Sequence, residues 1–186
     1  MTTELLAPAG GREALVAAVQ SGADAVYMGF GAFNARRSAR NFSDEEFRAA
    51  VSYCHLRGVK VYLTLNTLVT DRELPALADA ARVASECGVD AILVQDWGVL
   101  ATLQKIIPDV PLHASTQMSL HTLSGVKESA RLGMTRAVLA RELNRGEIAE
   151  ICKKSPIEIE TFVHGALCMC YSGQCEMSAV IGRRSG

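Results

Sequence analysis

The sequence lacks a long apolar run, a basic amino-terminal region and a large net charge of either sign. Its start, MTTELLAPAG, contains no basic residue, and Asp, Gln or Lys interrupts the longer apolar stretches within about ten residues. This pattern predicts neither a signal peptide nor a membrane span, and it favours a cytoplasmic protein. The 19 basic and 20 acidic residues give a net charge of −1, so a polyanionic partner would have to bind a local basic patch.

Three common catalytic signatures are also missing. The stretch PAGGREAL, which follows the first predicted strand, lacks the glycine spacing of a dinucleotide-binding loop. Neither a Gly-x-Ser-x-Gly elbow nor a His-Glu-x-x-His helix occurs in the 186 residues. The residues themselves therefore show no recognisable protease mechanism.

A repeated unit is present instead: an amphipathic segment that ends on glycine, followed by a short apolar run that ends in polar residues. Such glycines are typical of the left-handed residue that follows a helix. They are Gly22, Gly58, Gly88 and Gly133. Helix starts are indicated by Ser43 and Glu46, which have capping-box spacing, and by Asp71 before RELPALADA. The alternation predicts about seven strands and about six helices, and hence a parallel sheet.

An open doubly wound sheet and a closed barrel both fit this alternation, and the polar strand ends favour the barrel. These residues are Asn66, Thr67, Gln95, Asp96, His113, Ser115, Gln117, Arg141, Glu142, Glu160 and His164. In a barrel such ends meet on one face, where the active sites of that fold lie. The alternative is that strand ends are polar only because they leave the sheet for solvent.

We therefore predict an α/β protein with a TIM-like (β/α) barrel as the single domain of residues 1–186. Seven strands are one short of a complete barrel, so the domain is expected to be truncated or to be completed by another molecule. Unpaired sheet edges tend to associate, which predicts a homodimer or a larger assembly.

The six cysteines fall into two groups. Cys54, Cys87 and Cys152 lie in helical patterns among apolar neighbours and are predicted to be core residues. The other three lie close together in FVHGALCMCYSGQC, where metal ligation or catalysis is more plausible than a disulfide. A zinc site is the weaker alternative, because the cluster lacks the paired spacing of common zinc modules. A nucleophilic cysteine with His164 as its base also remains open, although closeness in sequence does not establish geometry.

Several stretches together resemble the amino-terminal part of the peptidase U32 family, the collagenase-like proteins. They include ELLAPAG, GADAVYMG, LRGVKVYLTLNT, LHASTQMSLH, AVLARELN and, most specifically, FVHGALCMCYSGQCEMS. The resemblance covers the whole chain and implies a barrel-type domain. It also implies one of two activities. The first is iron-sulfur-dependent, oxygen-independent hydroxylation of a base in transfer or ribosomal RNA or of a quinone precursor. The second is a collagenase-like peptidase activity.

For the cofactor, the resemblance implies a 4Fe-4S cluster with Cys168 and Cys175 as two of its ligands. Such clusters usually need four thiolates, and the family's other two cysteines lie beyond the loop that this chain enters at Gly182. The cluster is therefore expected to be absent or incomplete in this chain. Cys170 departs from the family pattern, so it is either a neighbouring thiol or a substitute ligand.

For the substrate, the resemblance and the polar strand ends together indicate candidate residues. Glu160, His164, Arg141 and Glu142 are the predicted catalytic groups, and Asn66, Ser115 and Gln117 are predicted to bind substrate. Arg36 matches a family position, and Arg37 and Arg40 extend it into a basic loop suited to RNA phosphates or to a small carboxylate such as prephenate. The alternative for that loop is a solvated surface.

Overall fold

A computed structural model of the chain describes residues 3–31, 33–35, 42–165 and 169–175. Within them, seven strands alternate with six α-helices, as the sequence predicts. The strands are β1 (Leu6–Pro8), β2 (Ala25–Gly29), β3 (Lys60–Leu65), β4 (Ala91–Val94), β5 (Leu112–Ala114), β6 (Arg136–Val138) and β7 (Glu158–Glu160). The helices are α1 (Arg12–Gln20), α2 (Asp44–His55), α3 (Leu74–Glu86), α4 (Trp97–Ile106), α5 (Leu123–Arg131) and α6 (Arg145–Lys154). A 3-10 turn, Thr116–Met118, follows β5.

All seven strands are parallel and lie in the sheet in chain order, from β1 at one edge to β7 at the other. The sheet curves into a half-barrel with the helices on its outer side, which confirms the predicted TIM-like architecture. No helix in the described ranges is both long enough and apolar enough to cross a bilayer.

Side-chain alternation along the strands separates two packed layers. In β3, Val61, Leu63 and Leu65 point outward into the large core between sheet and helices. Tyr62 points inward, where it packs with Ala25, Ala91, Leu93 and Val138 in a smaller cluster inside the barrel. The alternation of side chains along each strand therefore determines which residues point into the barrel and which pack against the helices.

The local signals for helix ends are mostly confirmed. Gly22, Gly58, Gly88 and Gly133 have φ of 88°, 71°, 80° and 87°, so each supplies the left-handed residue after a helix. The capping box of Ser43 and Glu46 is present at the start of α2.

Two predictions about helix residues are wrong. Asp71 does not start α3, which begins at Leu74 with a proline in its first turn. Instead, the hydroxyl and backbone N–H of Thr70 donate to the Glu73 carboxylate at 2.8 and 2.9 Å, and this local bond forms a turn ahead of the helix. Cys152 is exposed, because only Ile151 of α6 is fully buried against the core. Cys54 is buried and Cys87 packs partly buried against the core, as predicted.

A buried guanidinium, that of Arg136, lies inside the barrel at the amino-terminal end of the strands. It donates to Glu4 at 2.7 Å and to Glu158 at 2.6 and 2.9 Å, and it lies 3.5 Å from Glu160. Hydrogen bonds from Tyr62 at 2.8 Å and Lys60 at 3.0 Å also reach Glu4. We call these six residues the Arg136 cluster; it connects β3, β6 and β7 with the segment before β1.

The electrostatics of the cluster favour its charged form. Burial alone would raise the pKa of Glu4, but the hydrogen bonds from Arg136, Tyr62 and Lys60 lower it to about 2. Burial would lower the pKa of Arg136, whereas its hydrogen bonds to Glu4 and Glu158 raise it above the ordinary value. Both groups are therefore ionised at neutral pH.

His113, in β5, borders this cluster and is kept neutral by it. Its ring packs edge-on against Tyr62 with centroids 5.1 Å apart, and its side chain is almost completely buried. Burial, together with the charge of Arg136, lowers the pKa of His113 to about 3. His113 is therefore an interior packing residue and not a charged group of the barrel mouth.

We expect Arg136→Met to lower the free energy of unfolding at pH 7 by about 2–4 kcal/mol, because it leaves the partly buried carboxylates of Glu4 and Glu160 without a counter-charge. Glu160→Gln in the same chain should restore at least about 1 kcal/mol by removing one of those charges. Urea denaturation measures both changes. Arg131→Met is the matched control, since Arg131 is an exposed partner of Glu128 and its loss should leave the stability almost unchanged. Equal losses at the two arginines would contradict a structural role for the cluster.

We expect His113→Leu to flatten the acid dependence of stability between pH 6.5 and 5. The pKa of His113 falls from the ordinary 6.5 to about 3 on folding. In this window the unfolded chain therefore takes up a proton that the folded chain does not. The wild-type free energy of unfolding should consequently decline by about 1–2 kcal/mol more than that of the variant. Parallel stability curves for the two proteins would show that His113 does not resist protonation.

Candidate functional site

Polar side chains from successive strands meet inside the barrel at the carboxyl ends of the strands, a region that we call the mouth. Asn66 follows β3 directly and Ser115 follows β5, and both are buried. The Asn66 amide donates to the Ser115 hydroxyl at 3.2 Å and to the Gln117 side-chain carbonyl at 3.1 Å. Ser115 also donates to that Gln117 oxygen. The structure thus brings together three of the six predicted substrate-binding residues.

The mouth presents a fixed set of hydrogen-bonding groups without a full charge of their own. The Asn66 carbonyl accepts the backbone N–H of Ala35 at 3.2 Å, so the amide cannot turn without losing bonds on both sides. Gln95, which follows β4 directly, is also buried. Amide and hydroxyl groups held in this way suit a planar ligand with its own donors and acceptors.

Glu160 adds a buried carboxyl group to this layer. It is the last residue of β7 and pairs in register with Val138, which points into the barrel. Burial raises the pKa of Glu160 above its ordinary value, although Arg136 at 3.5 Å opposes that shift. A carboxyl group with a raised pKa can gain or release a proton closer to neutral pH, which suits general acid–base work.

Arg141 and Glu142 lie just beyond β6. Both residues form hydrogen bonds to a turn that follows β7 in the chain, and they do not line an open pocket. The turn is formed by Ser172 and Gly173, where the backbone N–H of Gln174 donates to the carbonyl of Tyr171 at 3.0 Å. The Glu142 carboxylate accepts the Ser172 backbone N–H at 2.9 Å and its hydroxyl at 3.1 Å. The Ser172 hydroxyl in turn accepts the Arg141 backbone N–H at 3.1 Å.

The same turn also contacts the segment that follows β5. The Ser119 hydroxyl donates to the Ser172 carbonyl at 2.5 Å, and the Gln174 amide reaches that hydroxyl at 3.4 Å. Ser172 is completely buried as a result. Cys170 and Cys175 flank the turn and are half-buried.

His121 completes the contacts around Glu142. One ring nitrogen, Nε2, lies 3.0 Å from Glu142, and the other, Nδ1, lies 2.8 Å from the Ser119 carbonyl. Burial would raise the pKa of Glu142, but hydrogen bonds from Ser172 and His121 lower it below its ordinary value. Glu142 therefore holds a negative charge where the turn docks.

The other predicted site residues are not assembled into one centre. His164 is exposed beyond the end of β7. Cys168 and the three arginines of the basic loop, Arg36, Arg37 and Arg40, lie outside the described residues. Among the residues that the structure does describe, no three His, Cys, Asp or Glu side chains are grouped so that they could hold a metal ion.

Sequence reasoning missed Arg136, Glu4, Ser119 and His121. Arg136 had a detectable signal, since a charged residue in the apolar run MTRAVLA occupies an inward position of its strand. Ser119 and His121 had no such signal, because their partners lie 53 and 21 residues away in sequence.

Comparison with known proteins finds several similar curated relatives, among them the following three. The tRNA hydroxylation protein P1 of Bacillus subtilis is 40% identical, and the alignment covers 94% of this chain and 42% of that protein. The 23S rRNA 5-hydroxycytidine C2501 synthase of Escherichia coli is 44% identical over 94% of this chain and 26% of that protein. A collagenase of Porphyromonas gingivalis is 36% identical over 94% of this chain and 44% of that protein. The chain thus spans less than half the length of each relative.

Among solved structures, that of the U32 peptidase Mk0906 superposes with a TM-score of 0.71 at 18% identity. The match covers 86% of this chain and 68% of that one, and it supports the fold alone. The family model of peptidase family U32 matches residues 10–186, and the chain therefore belongs to peptidase family U32.

Proposed function

We propose that the protein takes part in the oxygen-independent hydroxylation of an RNA base. The observation that carries the proposal is the hydrogen-bonded polar layer of the buried Asn66 and Ser115 and the half-buried Gln117, which lies directly against the cysteine-flanked turn. Relatives named for tRNA hydroxylation and for 5-hydroxycytidine synthesis in 23S rRNA support the same reaction class. An RNA substrate also agrees with the cytoplasmic location that the sequence predicts.

In this proposal the barrel mouth receives an unpaired base. Enzymes that modify a base recognise its hydrogen-bonding edge inside a fitted pocket. The amides of Asn66 and Gln117 and the Ser115 hydroxyl offer both donors and acceptors for that edge. Their mutual hydrogen bonds fix the amide orientations before the base arrives, which lowers the entropy cost of binding.

Glu160 is the proposed proton-transfer group. Its raised pKa and its position in the same interior layer allow it to accept or return a proton beside a bound base. Arg136 below it keeps a fraction of the carboxyl ionised. His164, exposed near the same end of the barrel, is the second proposed catalytic group.

Arg141 and Glu142, which the sequence assigns to catalysis, are proposed to act on the turn. The Arg141 guanidinium lies 5.8 Å from the ring of Phe162, a partly exposed aromatic that could stack with a neighbouring base.

The iron-sulfur cofactor is a separate proposal, which rests on the family resemblance of Cys168 and Cys175. A cluster of this kind would supply electron-transfer or Lewis-acid chemistry, and it normally needs four thiolates. Three further expectations also stay predictions. They are prephenate as the donor, RNA contacts from Arg36, Arg37 and Arg40, and association through the β1 and β7 edges.

We expect the 186-residue chain, made and purified without oxygen, to contain far less than four iron and four sulfide ions per molecule. Its two family-type ligands are half of the usual set. Iron and sulfide analysis, with the visible absorbance spectrum, measures the content. Stoichiometric iron and sulfide would contradict this expectation and would make Cys170 a candidate third ligand.

We expect a chimera, in which this chain replaces the matching segment of the Escherichia coli 23S rRNA 5-hydroxycytidine C2501 synthase, to restore the hydroxylated nucleoside in a strain that lacks that synthase. Mass spectrometry of digested tRNA and rRNA detects the added oxygen atom. Asn66→Leu and Glu160→Gln should each lower the modified fraction about tenfold or more, because they remove a recognition group and the proton carrier. Glu128→Gln on the exposed face of α5 is the matched control and should not change it.

The peptidase alternative is favoured by the collagenase name of one relative. If the RNA stays unmodified and the same protein cleaves denatured collagen, peptidase activity replaces the hydroxylation proposal. Cleavage would then have to be lost on substitution of Cys168, Cys170 or Cys175 if a thiol were the nucleophile.

A further inference from the structure

We propose that the segment Ser115–His121 is a bracket that positions the cysteine-flanked turn against the barrel mouth, with Glu142, His121 and Ser119 as positioning residues. The inference goes beyond the proposed reaction, because it concerns how the thiols are held and not what they bind. It rests on four contacts that converge on Ser172 and Gly173.

The first contact is the complete hydrogen bonding of Ser172. Its backbone N–H and hydroxyl both donate to the same Glu142 oxygen, at 2.9 and 3.1 Å, and its carbonyl accepts from Ser119 at 2.5 Å. Ser172 is 0% exposed, although Tyr171 beside it is 68% exposed. Ser172 is thus buried and fully hydrogen-bonded while Tyr171 remains in solvent, so Ser172 is the residue that fixes the turn to the barrel.

The second contact requires glycine at position 173. Gly173 has φ of +77°, and a Cβ there would lie 2.3 Å from the backbone carbonyl oxygen of Gln117. No side chain can be accommodated at that distance, because the obstructing atom belongs to the backbone of the bracket. The turn therefore lies directly on Gln117, whose amide faces the mouth.

The third contact involves an unusual backbone conformation at Ser119. Its φ of 56° is the one positive value for a non-glycine residue in the described part of the chain. Such conformations persist where the surroundings fix them, and they concentrate at functional positions. Here the conformation places the Ser119 hydroxyl within 2.5 Å of the Ser172 carbonyl and its own carbonyl 2.8 Å from His121.

The fourth contact is the bridge from His121 to Glu142. Both ring nitrogens face acceptors, the Ser119 carbonyl at 2.8 Å and the Glu142 carboxylate at 3.0 Å. The ring therefore bridges the Ser119 carbonyl and the Glu142 carboxylate, and this contact orients the carboxylate toward Ser172. The Tyr171 ring packs edge-on over the histidine at 6.3 Å between centroids.

The bracket also forms part of the polar mouth, since Ser115 and Gln117 belong to both. The distance from the mouth to the turn is therefore set by seven consecutive residues and by one glycine contact. The thiols on either side of the turn, Cys170 and Cys175, are therefore held at a fixed place relative to the mouth.

The test measures alkylation rates of individual cysteines by iodoacetamide and peptide mass spectrometry in the folded chain. Glu142→Ala removes the acceptor for Ser172 and the partner of His121. We expect it to raise the rates at Cys170 and Cys175 about tenfold or more, because hydrogen bonds to a charged group shift a local equilibrium by at least that factor. Glu142→Gln keeps an acceptor oxygen and should show a smaller increase. Gly173→Ala should equal or exceed Glu142→Ala.

Two thiols of the same chain act as internal references. Cys54 is buried and Cys152 is exposed, so their rates should stay slow and fast in every variant. Glu128→Ala, which removes an exposed carboxylate from α5, is the matched control and should leave all rates unchanged.

Unchanged rates at Cys170 and Cys175 in Glu142→Ala and Gly173→Ala would overturn the proposal. If Cys54 also reacts faster in Glu142→Ala or Gly173→Ala, that substitution has loosened the whole fold, and Ser119→Ala becomes the deciding variant. We then expect Ser119→Ala to raise the alkylation rate of Cys175 but not that of Cys54. If it does not, the proposal is overturned. None of these outcomes depends on RNA hydroxylation or on a cofactor.

Discussion

The charge of one buried guanidinium constrains the interior of this barrel. Arg136 cannot lie inside the sheet without counter-charges, and the chain supplies them from the segment before β1 and from β7. Because Glu4 lies far from Arg136 in sequence, this ionic contact joins the beginning of the fold to its sixth strand across the interior. Apolar packing alone would leave the angle between these strands less well defined.

The same charge also divides the interior into two levels. Its partners Glu4 and Glu158 lie at the amino-terminal end of the strands, where Glu4 is ionised and the neighbouring His113 is held neutral. One level higher, amides and hydroxyls replace the charges, and Glu160 is the group that contacts both levels. Among the described residues, a ligand at the mouth therefore meets fixed dipoles and the Glu160 carboxyl group. A fully ionised lining would favour a charged ligand over a base.

Much of this arrangement could be predicted from local pattern. Glycine spacing and alternation gave the strand and helix order, and the rule that parallel strands end on one face predicted that Asn66, Ser115 and Gln117 would meet. Contacts between segments distant in sequence could not be predicted this way. Arg141 and Glu142 follow a strand as catalytic residues do, yet their side chains bind Ser172, 31 and 30 residues later. The start of α3 was wrongly assigned to Asp71 because the local hydrogen bond between Thr70 and Glu73 forms a turn before the helix. Cys152 was wrongly assigned to the core because it lies on the exposed side of α6.

The docked turn differs from the barrel in what holds it. Ser172 is fixed by hydrogen bonds, whereas Met169 and Tyr171 beside it are exposed and bury little apolar surface. Segments with few apolar contacts open at free energies below that of global unfolding. The turn is therefore a separate unit of stability: its amide hydrogens can exchange with solvent while those of the central strands remain protected. Access of solvent and reductant to Cys170 and Cys175 is then governed by this local opening, and not by the stability of the barrel as a whole.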